Sequence, residues 1–303
     1  MPKRAKMALG GAAACAGLLL LTWFAAFHVG FAARADVSIL NGFVGLNRPS
    51  LRWLANFIAG LCDPKPYVYL AAVPVLVALA RRRPAVALTL AAILIGANAS
   101  SELLKPLLAH SRPAPLPTGV IPIGLGSWPS GHATAAMSLA LCCVIASPAR
   151  FRPRVAALGA VFAVAVSYSF LTLAWHYPSD VFGGYLVATT WTLLGVAGLL
   201  AVRERELRTS IAEQRARRPP LSEALGPPVL ALAGALALVL VVVLARPHQV
   251  VAYARLHTTF VVGAVAIAAL ALVLATGLML TLRGLSGSGP APTGALRHRW
   301  PRG

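Results

Sequence analysis

Acidic residues are scarce in this 303-residue chain: 8 Asp and Glu stand against 27 Lys and Arg, and charged residues of all kinds make up only 12%. So little charge, beside 58% hydrophobic residues and a mean hydropathy of +0.76, excludes a soluble globular domain. In a soluble protein the net charge of +19 would point to nucleic acid. No basic stretch is interleaved with aromatics and no nucleic-acid motif occurs, so that partner is excluded. Cysteine is sparse as well: Cys15, Cys142 and Cys143 lie in apolar runs and Cys62 stands alone in a mixed loop. That pattern gives neither a disulfide framework nor a metal site of the usual ligand spacing. No internal repeat is found.

What the chain has in quantity is uncharged apolar sequence, in runs of about 20 residues, the length a helix needs to cross a bilayer core. The expected fold is therefore all-α, a polytopic membrane helical bundle. Lys3, Arg4 and Lys6 precede an apolar run from Met7 to Ala33. Ala33-Arg34-Ala35 has the form of a cleavage site, but the run exceeds the roughly 7–15 apolar residues of a cleaved signal, so a retained first span is expected. Residues 34–65 read as a mixed loop, with Leu51 to Leu61 as a short interfacial helix. Further spans are expected at Pro66–Ala80, Pro84–Leu104, Pro129–Ser147, Val155–Trp175 and Val181–Val202, then at Pro228–Ala245 and Thr258–Leu282. Positive charge sets the orientation: with a cytoplasmic N-terminus, 19 Lys and Arg fall inside and 8 outside. Both termini are then cytoplasmic in a multi-pass cell-membrane protein. The tail from Gly284, rich in Gly, Ser, Pro and Arg, has a disordered composition.

Three short polar clusters interrupt the apolar sequence: Lys105-Pro-Leu-Leu-Ala-His-Ser-Arg112-Pro113, Pro129-Ser130-Gly131-His132, and His176-Tyr-Pro-Ser-Asp180. In the eight-span topology all three lie on the outer face. Their residue types suit phosphoryl transfer, which needs cations and directed N–H donors around phosphate oxygens, an in-line nucleophile and an acid for the leaving group. Lys105 offers a point charge and Arg112 a planar fork, while Pro113 favours extended backbone before it. Pro129 suits a first helical position, which leaves Ser130, Gly131 and His132 among free amides that attract an anion. Pro178 likewise opens a helix, so Asp180 can hold one ring nitrogen of His176 and leave the other unprotonated. Glu102 lies three residues before Lys105 on one helical face and reads as a structural ion pair or as a catalytic group.

In order and spacing the clusters resemble the type 2 phosphatidic acid phosphatase family. Its signature is Lys, six residues, Arg-Pro; then Pro-Ser-Gly-His; then Ser-Arg, five residues, His, three residues, Asp. One position departs: Phe170 follows Ser169 where the family has arginine. The resemblance implies that His176 is the nucleophile that becomes phosphohistidine, that Asp180 orients it and that His132 protonates the leaving group. Lys105, Arg112, Ser130 and Gly131 would bind phosphate, with no metal and no other cofactor. It also implies a six-helix phosphatase core at 1–202; hydropathy, charge and composition add a cytoplasmic basic connector at 203–227, an accessory transmembrane hairpin at 228–283 and a disordered basic tail at 284–303. The expected function is an integral-membrane, metal-independent phosphatase of a lipid phosphate or pyrophosphate, in contact with membrane lipids. Alternatives are a phosphatase of a soluble phosphate ester and a non-catalytic anion- or lipid-binding membrane protein. His110, Arg34 and Arg52 are the outer-face cations available to replace the missing arginine, and a homo-oligomer stays open.

Overall fold

A computed structural model describes residues 3–112, 123–207 and 221–285. Pro113, the centre of the basic connector and the tail from 286 lie outside the described residues. Among those described, the chain is helical: α1 Lys3–His28, α2 Gly30–Val44, α3 Pro49–Gly60, α4 Pro64–Ala80, α5 Pro84–Leu107, α6 Gly131–Ala146, α7 Arg152–Thr172, α8 Pro178–Leu207, α9 Leu221–Ala245, α10 Pro247–Leu256 and α11 Thr258–Leu285. The all-α bundle is as expected, and the chain is a multi-pass membrane protein. Six of the helices (α1, α5, α7, α8, α9 and α11) are long and apolar enough to cross a bilayer. α4 and α6 are shorter, at 17 and 16 residues. Nearly every residue of α6 is buried by its neighbours, so its length need not match the lipid. Tyr67 of α4 tethers this centre, 3.2 Å from Ser138 of α6 and accepting a bond from Asn98 of α5.

Two expectations change. The apolar run from Met7 to Ala33 does not form one helix: it breaks at Val29, which is extended at φ −109 and ψ 104. The residues that follow, expected as loop, wind into α2 and bury Ala33, Asp36, Leu40, Gly42 and Phe43 at helical spacing. Hydropathy missed the break because both sides are apolar; the stripe that marks a separate helix lies in residues that look mixed. α3, by contrast, falls where the interfacial helix was expected and leaves Leu51, Trp53, Leu54 and Phe57 exposed.

The last two long helices differ from each other. α9 is exposed along Val229, Leu230, Leu232 and Leu236. α11 buries Ile267, Ala271, Ala275, Leu278, Met279 and Leu282 in the same core as α6, α7 and α8. The small residues in that stripe let helix backbones approach closely, the usual way helices associate in lipid. Polar bonds fasten it: Tyr168 of α7 donates to the Ala264 carbonyl at 2.6 Å, and Ser38 of α2 meets Thr259 at 2.6 Å. Tyr253 of α10 donates to the Gly42 carbonyl, so α10 and α11 together clamp α2.

Candidate active site

The C-terminal ends of α1, α5 and α7 and the N-terminal ends of α4, α6 and α8 meet at one end of the bundle. All three polar clusters are there. α6 starts with Ser130 as its cap, the hydroxyl accepting from Ala133 N at 3.3 Å. The Ser130 amide donates to the Asp180 carbonyl at 3.0 Å, which locks the second cluster to the third. The two helices can come this close because Gly184 has no side chain: a Cβ there would sit 2.7 Å from the Ser130 carbonyl. A Cβ on Gly131 would press on the Glu102 carboxylate at 2.9 Å.

α7 ends with Ala174 in the left-handed region, at φ 59. Trp175 N donates to the Phe170 carbonyl and Ala174 N to the Leu171 carbonyl, both at 3.0 Å, the paired bonds of a Schellman end. This reversal delivers His176 to the mouth of α8. Asp180, fully buried in the first turn, accepts from the Tyr177 amide at 3.0 Å and lies 3.3 Å from His176 Nδ1 through the same oxygen. Nδ1 is thereby occupied and Nε2 is left for chemistry. His132 stands beside it, the ring centroids 6.2 Å apart.

Phe170 lies fully buried against both rings, 5.2 Å from His176 and 6.0 Å from His132. Trp175 packs on His132 at 5.6 Å. The residue at the family's arginine position thus occupies, with Trp175, the two positions that often carry an apolar pair at Schellman ends. Of the cations named as substitutes, His110 sits in an aromatic cluster with Trp23, Phe27 and His28. Arg34 and Arg52 are exposed on α2 and α3.

The two expected phosphate cations already carry carboxylates. Lys105 Nζ is 2.6 Å from Glu102 Oε1, as the i,i+3 spacing suggested. Arg112 is held more elaborately. One terminal nitrogen donates to Asp36 Oδ2 at 2.9 Å and to Ser179 Oγ at 2.8 Å, and the other pairs with Asp180. Its plane lies over the rings of Phe27 and Tyr177, 4.2 and 4.3 Å from their centroids. Its Nε is a buried donor without a partner among the described residues.

Two site residues escaped the sequence reading. Asp36, 6% exposed on α2, reaches Arg112 and the start of α8. Asp63, the residue before α4, places Oδ1 3.0 Å from His132 Nε2. A signal was available: only Asp36, Asp63, Glu102 and Asp180 are acidic before residue 204, and all four meet here. An acid in so apolar a chain is costly, which makes each a functional suspect. Among the described residues, no group of three or more His, Cys, Asp or Glu side chains is arranged to hold a metal ion.

The sequence profile of the PAP2 superfamily matches residues 86–203. Among solved structures, the chain is similar to the transmembrane PAP2-type phosphatidylglycerolphosphate phosphatase from Bacillus subtilis, with 22% identity and a TM-score of 0.50 over 63% of this chain and 96% of that one. Among curated proteins, none matches the sequence. The profile match runs from α5 into α8 and takes in all three clusters, and over this segment the chain is similar to the PAP2 superfamily.

Proposed function

We propose that the protein is a metal-independent membrane phosphatase acting on a lipid phosphate or pyrophosphate at the outer leaflet. The observation that carries this reading is the pair of histidines side by side, one held through Nδ1 by a buried carboxylate, among the family's three clusters. In the first step His176 Nε2 forms a bond to phosphorus as the P–O bond to the leaving group breaks, and His132 gives its proton to the departing oxygen. In the second, water attacks phosphorus, its proton returns to His132, and the N–P bond breaks to release inorganic phosphate. Lys105, Arg112, the Ser130 side chain and the Gly131 amide bind the phosphate oxygens, the Ser130 amide being engaged by the Asp180 carbonyl, and Asp180 orients the nucleophile. A lipid is favoured over a soluble ester by α3, whose exposed Leu51, Trp53 and Phe57 suit the interface and which leads directly into Asp63.

Phe170 supports a second reading, a membrane protein that binds an anion without turnover. Losing one preorganised donor costs on the order of 10²–10³ in rate. At this end of the bundle two cations also face four carboxylates. Vanadate-sensitive phosphate release by purified protein in chelator separates the readings: turnover supports the phosphatase, and none on any lipid or soluble phosphate supports the binder. Phe170→Arg sharpens the test. Arginine near the bilayer centre costs about 2.5–3.5 kcal/mol and less toward an interface. The expected variant is less stable but equals or exceeds the parent in turnover per folded molecule. A much slower folded variant would mean that the aromatic ring itself holds the histidines in place.

The outer-face placement is tested by labelling. In a background without the native cysteines, Leu125→Cys should react with an impermeant maleimide added outside intact cells. Arg150→Cys, in the basic turn between α6 and α7, should react only after permeabilisation. The reverse pattern overturns the orientation and with it the outer-leaflet substrate.

A further inference from the structure

Asp36 lies outside the matched segment, yet both of its carboxylate oxygens are engaged at the site. Oδ1 accepts from the Ser179 amide at 2.8 Å; Oδ2 accepts from Ser179 Oγ at 2.6 Å and from Arg112 at 2.9 Å. It therefore caps α8 from a different helix while it neutralises the guanidinium that also leans on Asp180. Counting charges shows what this does. With His176 neutral, Arg112, Asp36 and Asp180 sum to one negative charge. When Nε2 bonds to phosphorus with Nδ1 still protonated, the ring becomes cationic and the cluster becomes neutral. Without Asp36, Arg112 and Asp180 would cancel each other and the cationic ring, only 12% exposed, would face no net negative charge from the protein, which is disfavoured.

We infer that Asp36 is a positioning residue for the nucleophile: it neutralises Arg112 so that the charge of Asp180 remains available to His176. The inference rests on the phosphatase reading above. Burial pushes the Asp36 carboxyl up to about 6, with Asp180 adding to the rise and Arg112 opposing it, so at pH 8 the group is ionised as this role requires. The groups that act on it electrostatically, Arg112 and Asp180, belong to the same cluster, and it acts in turn on Tyr177.

The test uses the full-length protein in detergent at pH 8, comparing the parent with Asp36→Asn, which keeps the shape and removes the charge, and with Asp36→Glu, which returns the charge. The first readout is the rate of carbethoxylation of His176 by diethyl pyrocarbonate, followed by peptide mass spectrometry; it reports nucleophilicity whether or not the protein turns over. The expected result is a fall of about tenfold in Asp36→Asn with partial recovery in Asp36→Glu. The second is kcat per active site, counted from the phosphoenzyme burst, expected to fall by a similar factor with KM little changed. An unchanged carbethoxylation rate in Asp36→Asn overturns the inference even if kcat falls, because the effect would then be structural only. A parent that forms no phosphoenzyme refutes the phosphatase reading, and the carbethoxylation rates still decide the role of Asp36.

Discussion

Replacing His176 with alanine should abolish both turnover and the trapped covalent phosphoenzyme, with a loss on the order of 10⁴–10⁶ in kcat, as for nucleophiles deleted from other covalent hydrolases. The size follows from the site's construction. His176 is the histidine whose Nδ1 faces Asp180, at 3.3 Å, and whose Nε2 is thereby left to attack. His132 cannot take over, because its own Nε2 is engaged by Asp63, at 3.0 Å, and it enters from the start of a different helix. The variant should remain folded: the side chain is not part of the backbone bonds that join α6 to α8, and alanine leaves Asp180 with Arg112 and the Tyr177 amide. The measurement is phosphate release together with acid-labile phosphate on the protein after rapid quench. Release from His176→Ala at the parental rate would sink the proposed mechanism.

The second large effect belongs to His132. A positioned general acid contributes typically about 10²–10⁴, and only where the leaving group needs a proton. His132→Ala should therefore slow alkyl phosphates by that factor and leave aryl phosphates with acidic leaving groups, such as p-nitrophenyl phosphate, within about tenfold of the parent. Asp63→Asn should move the same ratio in the same direction by less, since the ring stays in place and loses only the carboxylate with which it shares a proton. Equal slowing of both substrate types in His132→Ala would reassign the residue from acid to phosphate ligand.

Much of this organisation was legible in the sequence, because a membrane imposes simple rules. Hydropathy located the long helices, and Pro178 marked the first residue of α8 and put Asp180 in its first turn, whereas α6 starts at Gly131 behind a Ser130 cap, two residues beyond the start expected at Pro129. The Glu102–Lys105 pair followed from helical spacing. What stayed hidden depends on contacts between segments remote in sequence. Asp36 is separated by 143 positions from the Ser179 it caps. No local pattern announces such a bond. Phe170 was visible as a departure but not as a participant; its place between two histidine rings comes from the Schellman reversal at Ala174, a left-handed alanine that propensity argues against. α11 was separated from the catalytic core by resemblance, which counts six helices, whereas its buried stripe shows contact with that core.

That stripe bears on the order in which the protein is made. α2 brings Asp36 to the site, and α2 is held on its far side by Tyr253, Thr259 and the first turns of α11. A chain emerging from the ribosome will have inserted all three motif clusters well before those residues exist. Until α11 enters the membrane, α2 lacks its clamp, and of the two carboxylates that pair with Arg112 only Asp180 is in place. The last helix thus acts as the closing step of assembly, and the finished site becomes a property of the completed chain rather than of the segment that carries the motifs.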